Sequence, residues 1–199
     1  QMIEAVRIEP ESYRPHDGGE TAPALRPFTA PVPVEAMFLD LPLLSGDEVP
    51  HAPHIAMTGV PWPGSVALYS AAQDSDYALN ALVAQRSVVG ITQSELFAAP
   101  SGVWDRGAAL RVKLVSGQLA SRDMAEVLTG ANLAAIGDGS SDSWEVFQFA
   151  SAELVAPDTY DLRMRLRGQA GSDGMMPADW PVGSRFVLLN GQPEQIDLA

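Results

Sequence analysis

Residues 144–168 read WEVFQFASAELVAPDTYDLRMRLRG, and this stretch constrains the fold more than any other. Two runs rich in β-branched and aromatic residues meet at Pro157-Asp158, a dipeptide suited to a tight turn. A hairpin of this length commits the chain to a β-rich architecture. The punctuation elsewhere agrees with it. Sixteen prolines and seventeen glycines are spread through 199 residues instead of forming a repeat. That spread suits many short strands and works against long helices.

Other segments repeat the signal. In 110–114, Leu110, Val112 and Leu114 fall on one face and Arg111 and Lys113 on the other, which predicts a half-buried strand. The run SVVGITQSEL reads as a strand with Gly90 at a bulge or close approach. VALYSA and YALNALVAQ flank the polar turn 73–76 and predict a hairpin. Residues 34–44 form an apolar strand broken by Pro42, and ANLAAIG leads back into a sheet. Asn190-Gly191 is a strong hairpin signal near the end of the chain. One short helix is expected at 122–129, with Ser121 as N-cap, Asp123 in the first turn and Gly130 as the stop. The expected class is mainly β, a β-sandwich or a partly open β-barrel with that one helix.

The domain reading follows from composition. Residues 1–10 look like the terminal strand of a preceding domain, so the chain is expected to be a segment of a longer protein. Residues 11–33 carry five prolines and Gly18-Gly19 without periodicity and read as an extended linker. Residues 34–199 then form a single β-rich domain.

Charge and cysteine content narrow the function classes. The net charge is −13, with Lys113 the single lysine, so binding of nucleic acid or anionic membrane by charge is not expected. No apolar run reaches the length of a spanning helix. With no cysteine in the chain, disulfides, thiolate metal sites and cysteine nucleophiles are excluded.

His51 and His54, near Asp47 and Glu48, are candidate metal ligands, but Pro50 and Pro53 rule out the helix that would put them on one face. Without a second ligand pair they read as loop histidines. Asp138, Ser140 and Asp142 imitate the start of a calcium loop, yet Ser143 stands where a glycine is needed and Phe149 where the closing carboxylate belongs. That loop reads as a turn. Carboxylates such as Glu35 with Asp40, or Asp105 with Asp123, can be paired at will, so none is singled out as catalytic. Tryptophans and tyrosines read first as core. Trp62 and Trp180, beside prolines in expected loops, are the candidates for exposed ligand-binding aromatics. Arg163, Arg165 and Arg167 alternate with Leu162, Met164 and Leu166, which predicts a solvated basic face compensated by carboxylates such as Glu145 or Glu153. No cofactor is expected.

Five segments in order carry a resemblance: Trp104-Asp105, the L-x-V-x-L strand at 110–114, G-x-N-x-x-x-I-G at 130–137, W-E-x-x-Q-F at 144–149 and L-R-G at 166–168. In this order they resemble tail proteins of siphophages and of alphaproteobacterial gene transfer agents, and the similarity extends over 26–199. The resemblance implies a region of a very large tail-tip or baseplate protein, host-specificity-like, downstream of its TIM-barrel-like domain. It implies trimers below the tail tube and partners among other domains of the same chain and tail-tip neighbours. It also implies a place in the tail of a virion-like particle and a role in host attachment and DNA delivery. A glycan- or receptor-binding module and an accessory domain of a cell-wall hydrolase are the rival expectations, with a recipient-cell glycan as ligand. No catalytic residue carries over.

Overall fold

The computed structural model describes residues 33–190 and 193–196, all within the second of the chain's two units, Pro31–Ala199. The strand expected at 1–10, and the linker expected at 11–33 apart from its last residue, lie outside the described residues.

In chain order the strands are β1 (Glu35–Leu39), β2 (His54–Thr58), β3 (Val66–Ser70), β4 (Ala78–Val83), β5 (Val89–Thr92), β6 (Leu96–Phe97) and β7 (Trp104–Asp105). They continue as β8 (Leu110–Leu114), β9 (Leu133–Gly137), β10 (Trp144–Ala156), β11 (Thr159–Leu166), β12 (Asp179–Trp180), β13 (Arg185–Leu188) and β14 (Glu194–Gln195). A single α-helix, α1 (Met124–Leu128), and a 3-10 segment at Gln169–Met175 complete the described elements.

Six strands close on themselves. The order β10-β9-β13-β5-β8-β11 is completed by the pairing of β11 with β10, and every pair in the ring is antiparallel. Of the two expected architectures the chain takes the barrel, and the ring is shut. Closure removes the edges at which sheets aggregate. So few strands leave an interior that side chains fill, here around Leu110, Val112, Ile136, Phe147, Phe149, Leu162 and Phe186. Phe147 sits 6.4 Å from Phe149 and 6.2 Å from Phe186, centroid to centroid, in tilted and edge-on arrangements.

The expected alternation at 110–114 is present, with Leu110, Val112 and Leu114 buried and Arg111 and Lys113 exposed. Gly90 is a close approach: a Cβ there would lie 2.7 Å from the Lys113 carbonyl oxygen. The hairpin β10–β11 turns at 157–158, where Asp158 takes a φ of 54°.

A second layer lies against the barrel wall. β1, β2 and β14 form a three-stranded sheet whose Met37, Leu39 and Ala56 pack on outward-facing Val89, Ala135, Trp144, Val146 and Val187. Strands β3 and β4 form the expected hairpin and pack Val66, Leu68 and Val83 against Ile55 and Met57 of β2.

Two expectations are corrected. No hairpin joins β13 to the strand after Asn190. Both edges of β13 are occupied, by β5 and β9, so β14 has no edge to join and pairs with β2 in the other sheet. The helix is shorter than expected and begins two residues later. Its N-cap is Asp123, whose Oδ1 accepts from the Glu126 N–H at 2.7 Å while Glu126 accepts from the Asp123 N–H, a reciprocal capping box. Ser121 instead ties the preceding segment to β10: its hydroxyl donates to the Ala152 carbonyl and accepts from the Ala152 N–H.

Candidate functional site

A dense polar cluster among the described residues is a chain of four charges, Glu145, Arg165 and Arg167 buried and Asp105 part-buried. Met164 in β11 adopts a φ of 52°, which breaks the side-chain alternation of the strand. Leu162 therefore belongs to the interior cluster, Arg163 is exposed, and Arg165 lies opposite Phe149 on the inner side. Met164 and Leu166 share the outer face, against Val127 of α1.

The row of arginines is thus not a solvated basic face. Arg165 and Arg167 are buried, at 2% and 0% exposure, and only Arg163 meets solvent. The kink in β11 is the reason.

Each buried guanidinium has a carboxylate. Arg165 donates from Nε at 2.9 Å and Nη2 at 2.7 Å to Asp105 Oδ2, and from Nη1 to the carbonyls of Ala108 and Leu162. Arg167 donates from Nε and Nη2 to the two oxygens of Glu145, both at 2.7 Å, and from Nη1 to the Phe97 carbonyl. Glu145 also accepts from the Gly168 N–H and from the indole of Trp180 at 2.7 Å. The two pairs are joined, because Arg167 Nη1 stands 3.8 Å from Asp105 Oδ2.

Four charges sum to zero in this network. Burial raises the Asp105 carboxyl, but the Gly107 N–H and the arginines beside it outweigh that and hold it below the usual carboxylate range. Burial pulls Arg165 down, opposed by Asp105. The chemistry of the cluster is to fix β7, β10, β11 and β12 to one another.

The other residues of the five ordered segments have similar work. Asn132 donates to the carbonyls of Ala120 and Phe149. Gln148 donates to the Val127 and Ala131 carbonyls and so closes the C-terminal end of α1 onto β10. At Gly137 a Cβ would lie 2.7 Å from the Trp144 ring, and at Gly168, with a φ of 58°, 2.7 Å from Asp173 Cβ. Only glycine fits either place.

The candidates from the sequence lie apart. Trp180 is not an exposed aromatic. It is 3% exposed, in the barrel's core, and its indole is held by Glu145. The prolines on which its loop assignment rested flank a short strand, β12, paired with β6. Trp62 is half-buried on the β2–β4 cluster, with its indole donating to the Ala84 carbonyl at 3.3 Å. The two tryptophans form no common platform.

His51 and His54 also separate. His51 is exposed in a turn with a φ of 68°. His54 is buried in β2, not in a loop, and borders a cavity of about 410 Å³ with Leu41, Leu44 and Leu133. Its Nδ1 has no partner among the described residues. Burial holds the imidazole below its ordinary pKa, with Glu48 pulling weakly the other way. Among the described residues no three His, Asp or Glu side chains gather in a way that could hold a metal ion. In the acidic turn, Asp138 Oδ1 accepts from both the Ser140 N–H and hydroxyl, at 2.8 and 2.6 Å. Its carboxylate is engaged by its own turn.

Sequence reading missed Asp105 as the partner of Arg165, and it missed the burial of the arginines.

No curated protein matches the chain. Residues 87–187, which contain the six-stranded ring except Leu188 at the end of β13 and all of the four-charge network, match the family model described as Rcc01698-like, C-terminal. That match spans just over half of the 199 residues, and the chain belongs to the Rcc01698-like C-terminal family.

Proposed function

We propose that this chain is a structural domain of a phage-like tail tip or baseplate protein, a non-enzymatic part of the device that attaches to a recipient cell and delivers DNA. One observation carries the reading. The five segments that resemble tail proteins coincide with β7, β8, β9, β10 and the end of β11, and their polar residues hold the barrel together. The similarity is therefore one of framework. A wall built without cysteine must take its stability from packing, paired strands and internal ion pairs, and these are what the domain contains.

The reading extends to partners. Symmetric copies, three about the tail axis, would be neighbours through other parts of the longer protein. The rival reading, recognition of a glycan by Trp62 and Trp180, loses support because one of the two is core and they share no surface.

Gold-labelled antibody against this domain, applied to intact particles, tests the proposal. Label at the tail tip is the expected result. Label confined to the head, or particles without the chain, would overturn it. Incubation of the purified domain with peptidoglycan should release no product. Saturable turnover abolished by changing one carboxylate would overturn the non-enzymatic part.

A further inference from the structure

The hairpin β3–β4 has two unlike faces. Inward, Val66, Leu68 and Val83 pack on β2. Outward, the register places Ala67 opposite Leu82 and Tyr69 opposite Leu79, and all four are exposed. Tyr69, Leu79 and Leu82 are 57%, 59% and 58% exposed, and Tyr77, at the head of the second arm, is 58%. A solvated hairpin face ordinarily carries polar side chains, so a contiguous apolar face marks an interaction surface. The Tyr77 hydroxyl donates to Asp74 Oδ1 at 2.7 Å, which holds the ring in place before any partner arrives.

Charge says what kind of partner fits. Between Ile55 and Gln85 the chain carries no lysine or arginine, and its only charges are Asp74 and Asp76 at the hairpin turn. A second copy of this chain is a poor occupant. Its net charge is −13, so two copies repel, and of its described cations Arg165 and Arg167 are buried, Arg86, Arg111, Arg122 and Arg185 are engaged, and only Arg106, Lys113 and Arg163 stand exposed outside such contacts. Aliphatic Leu79 and Leu82 also favour a protein surface over a sugar, which stacks on aromatic rings.

We infer that the outward face of β3–β4 is a docking surface for a different protein, one that presents an apolar patch rimmed by lysine or arginine. Tyrosine and leucine supply the buried centre, and Asp74 and Asp76 supply the charged rim that orients the partner. The inference does not depend on the tail-tip reading.

Site-specific photo-crosslinking in the full-length chain in its producing cells tests it. A benzophenone amino acid replaces Leu79 or Leu82, with Leu154, an equally exposed leucine on the barrel hairpin, as the control site. The expected result is one discrete protein adduct, about tenfold more abundant than at the control site, whose crosslinked peptide adjoins lysine or arginine. Changing Asp74→Lys together with Asp76→Lys should lower the adduct yield about tenfold, and raising salt should lower it as well. An adduct to a protein outside any particle would support the docking surface while removing support for a tail-tip role. Adduct yields equal to the control, an adduct to a second copy, or an acidic crosslinked peptide would each overturn the inference. Binding to a neutral glycan array that is lost in Tyr69→Ala would overturn it in favour of a sugar ligand.

Discussion

Glu145 and His54 are both buried in this domain, in different surroundings. Glu145 is surrounded by four donors from Arg167, Gly168 and Trp180. His54 is buried with Nδ1 unpartnered, so the folded chain resists its protonation. The sign of the pH effect follows. The unfolded chain takes up a proton near the ordinary histidine pKa of about 6.5, whereas the folded chain does so only at lower pH. Stability is therefore unaffected well above that value and falls as pH drops from about 6.5 toward the depressed folded value. Denaturant midpoints of the parent should decline between about pH 7 and pH 5. His54→Leu should flatten that decline, and an unchanged slope in the variant would contradict the assignment. Gly90 offers a steric test. Its missing Cβ would press on the Lys113 carbonyl, part of a neighbouring strand that cannot retreat inside a closed ring. Gly90→Ala should destabilise by about 1–3 kcal/mol in chemical denaturation.

Elements with strong local signals were readable from the sequence, and those set by partners were not. β8, the β10–β11 turn and the β3–β4 hairpin follow from alternation and turn chemistry, and each stands where the residues place it. The Asn190-Gly191 signal failed because register is decided by free edges, and a closed ring leaves β13 none. The arginine row failed for a related reason. Periodicity in β11 assumes an unbroken strand, and Met164 breaks it with a left-handed backbone that no local rule assigns to methionine. The candidate site was thus visible as residue types at 144–149 and 166–168 but not as a network, since Asp105 comes from a strand about 60 positions away in sequence. At α1 the cap is testable. Asp123→Ala removes the acceptor for the Glu126 N–H and should cost about 1 kcal/mol by denaturation, whereas Ser121→Ala should leave helix content unchanged. The turn at Asp138 is satisfied internally, so chelator should leave the melting temperature where it was. A drop restored by calcium or zinc would reveal a bound ion.

At the scale of the whole molecule, a six-stranded barrel with a filled interior is locked at one end by two joined ion pairs and covered on one wall by a three-stranded sheet. A buried ion pair need not add stability relative to an apolar pair, but breaking one partner leaves a charge without compensation. The Arg111–Asp161 pair is only part-buried, with Arg111 about half exposed, so water screens it more, and Asp161→Asn should cost about 1 kcal/mol or less. The central claim is that the charged residues in the ordered segments serve the framework. A double-mutant cycle on Glu145 and Arg167, read by equilibrium unfolding, tests that claim most directly. Glu145→Gln alone should destabilise by about 3–5 kcal/mol, and Glu145→Gln combined with Arg167→Met should recover more than half of the loss. A Glu145→Gln domain that unfolds within about 1 kcal/mol of the parent would contradict it.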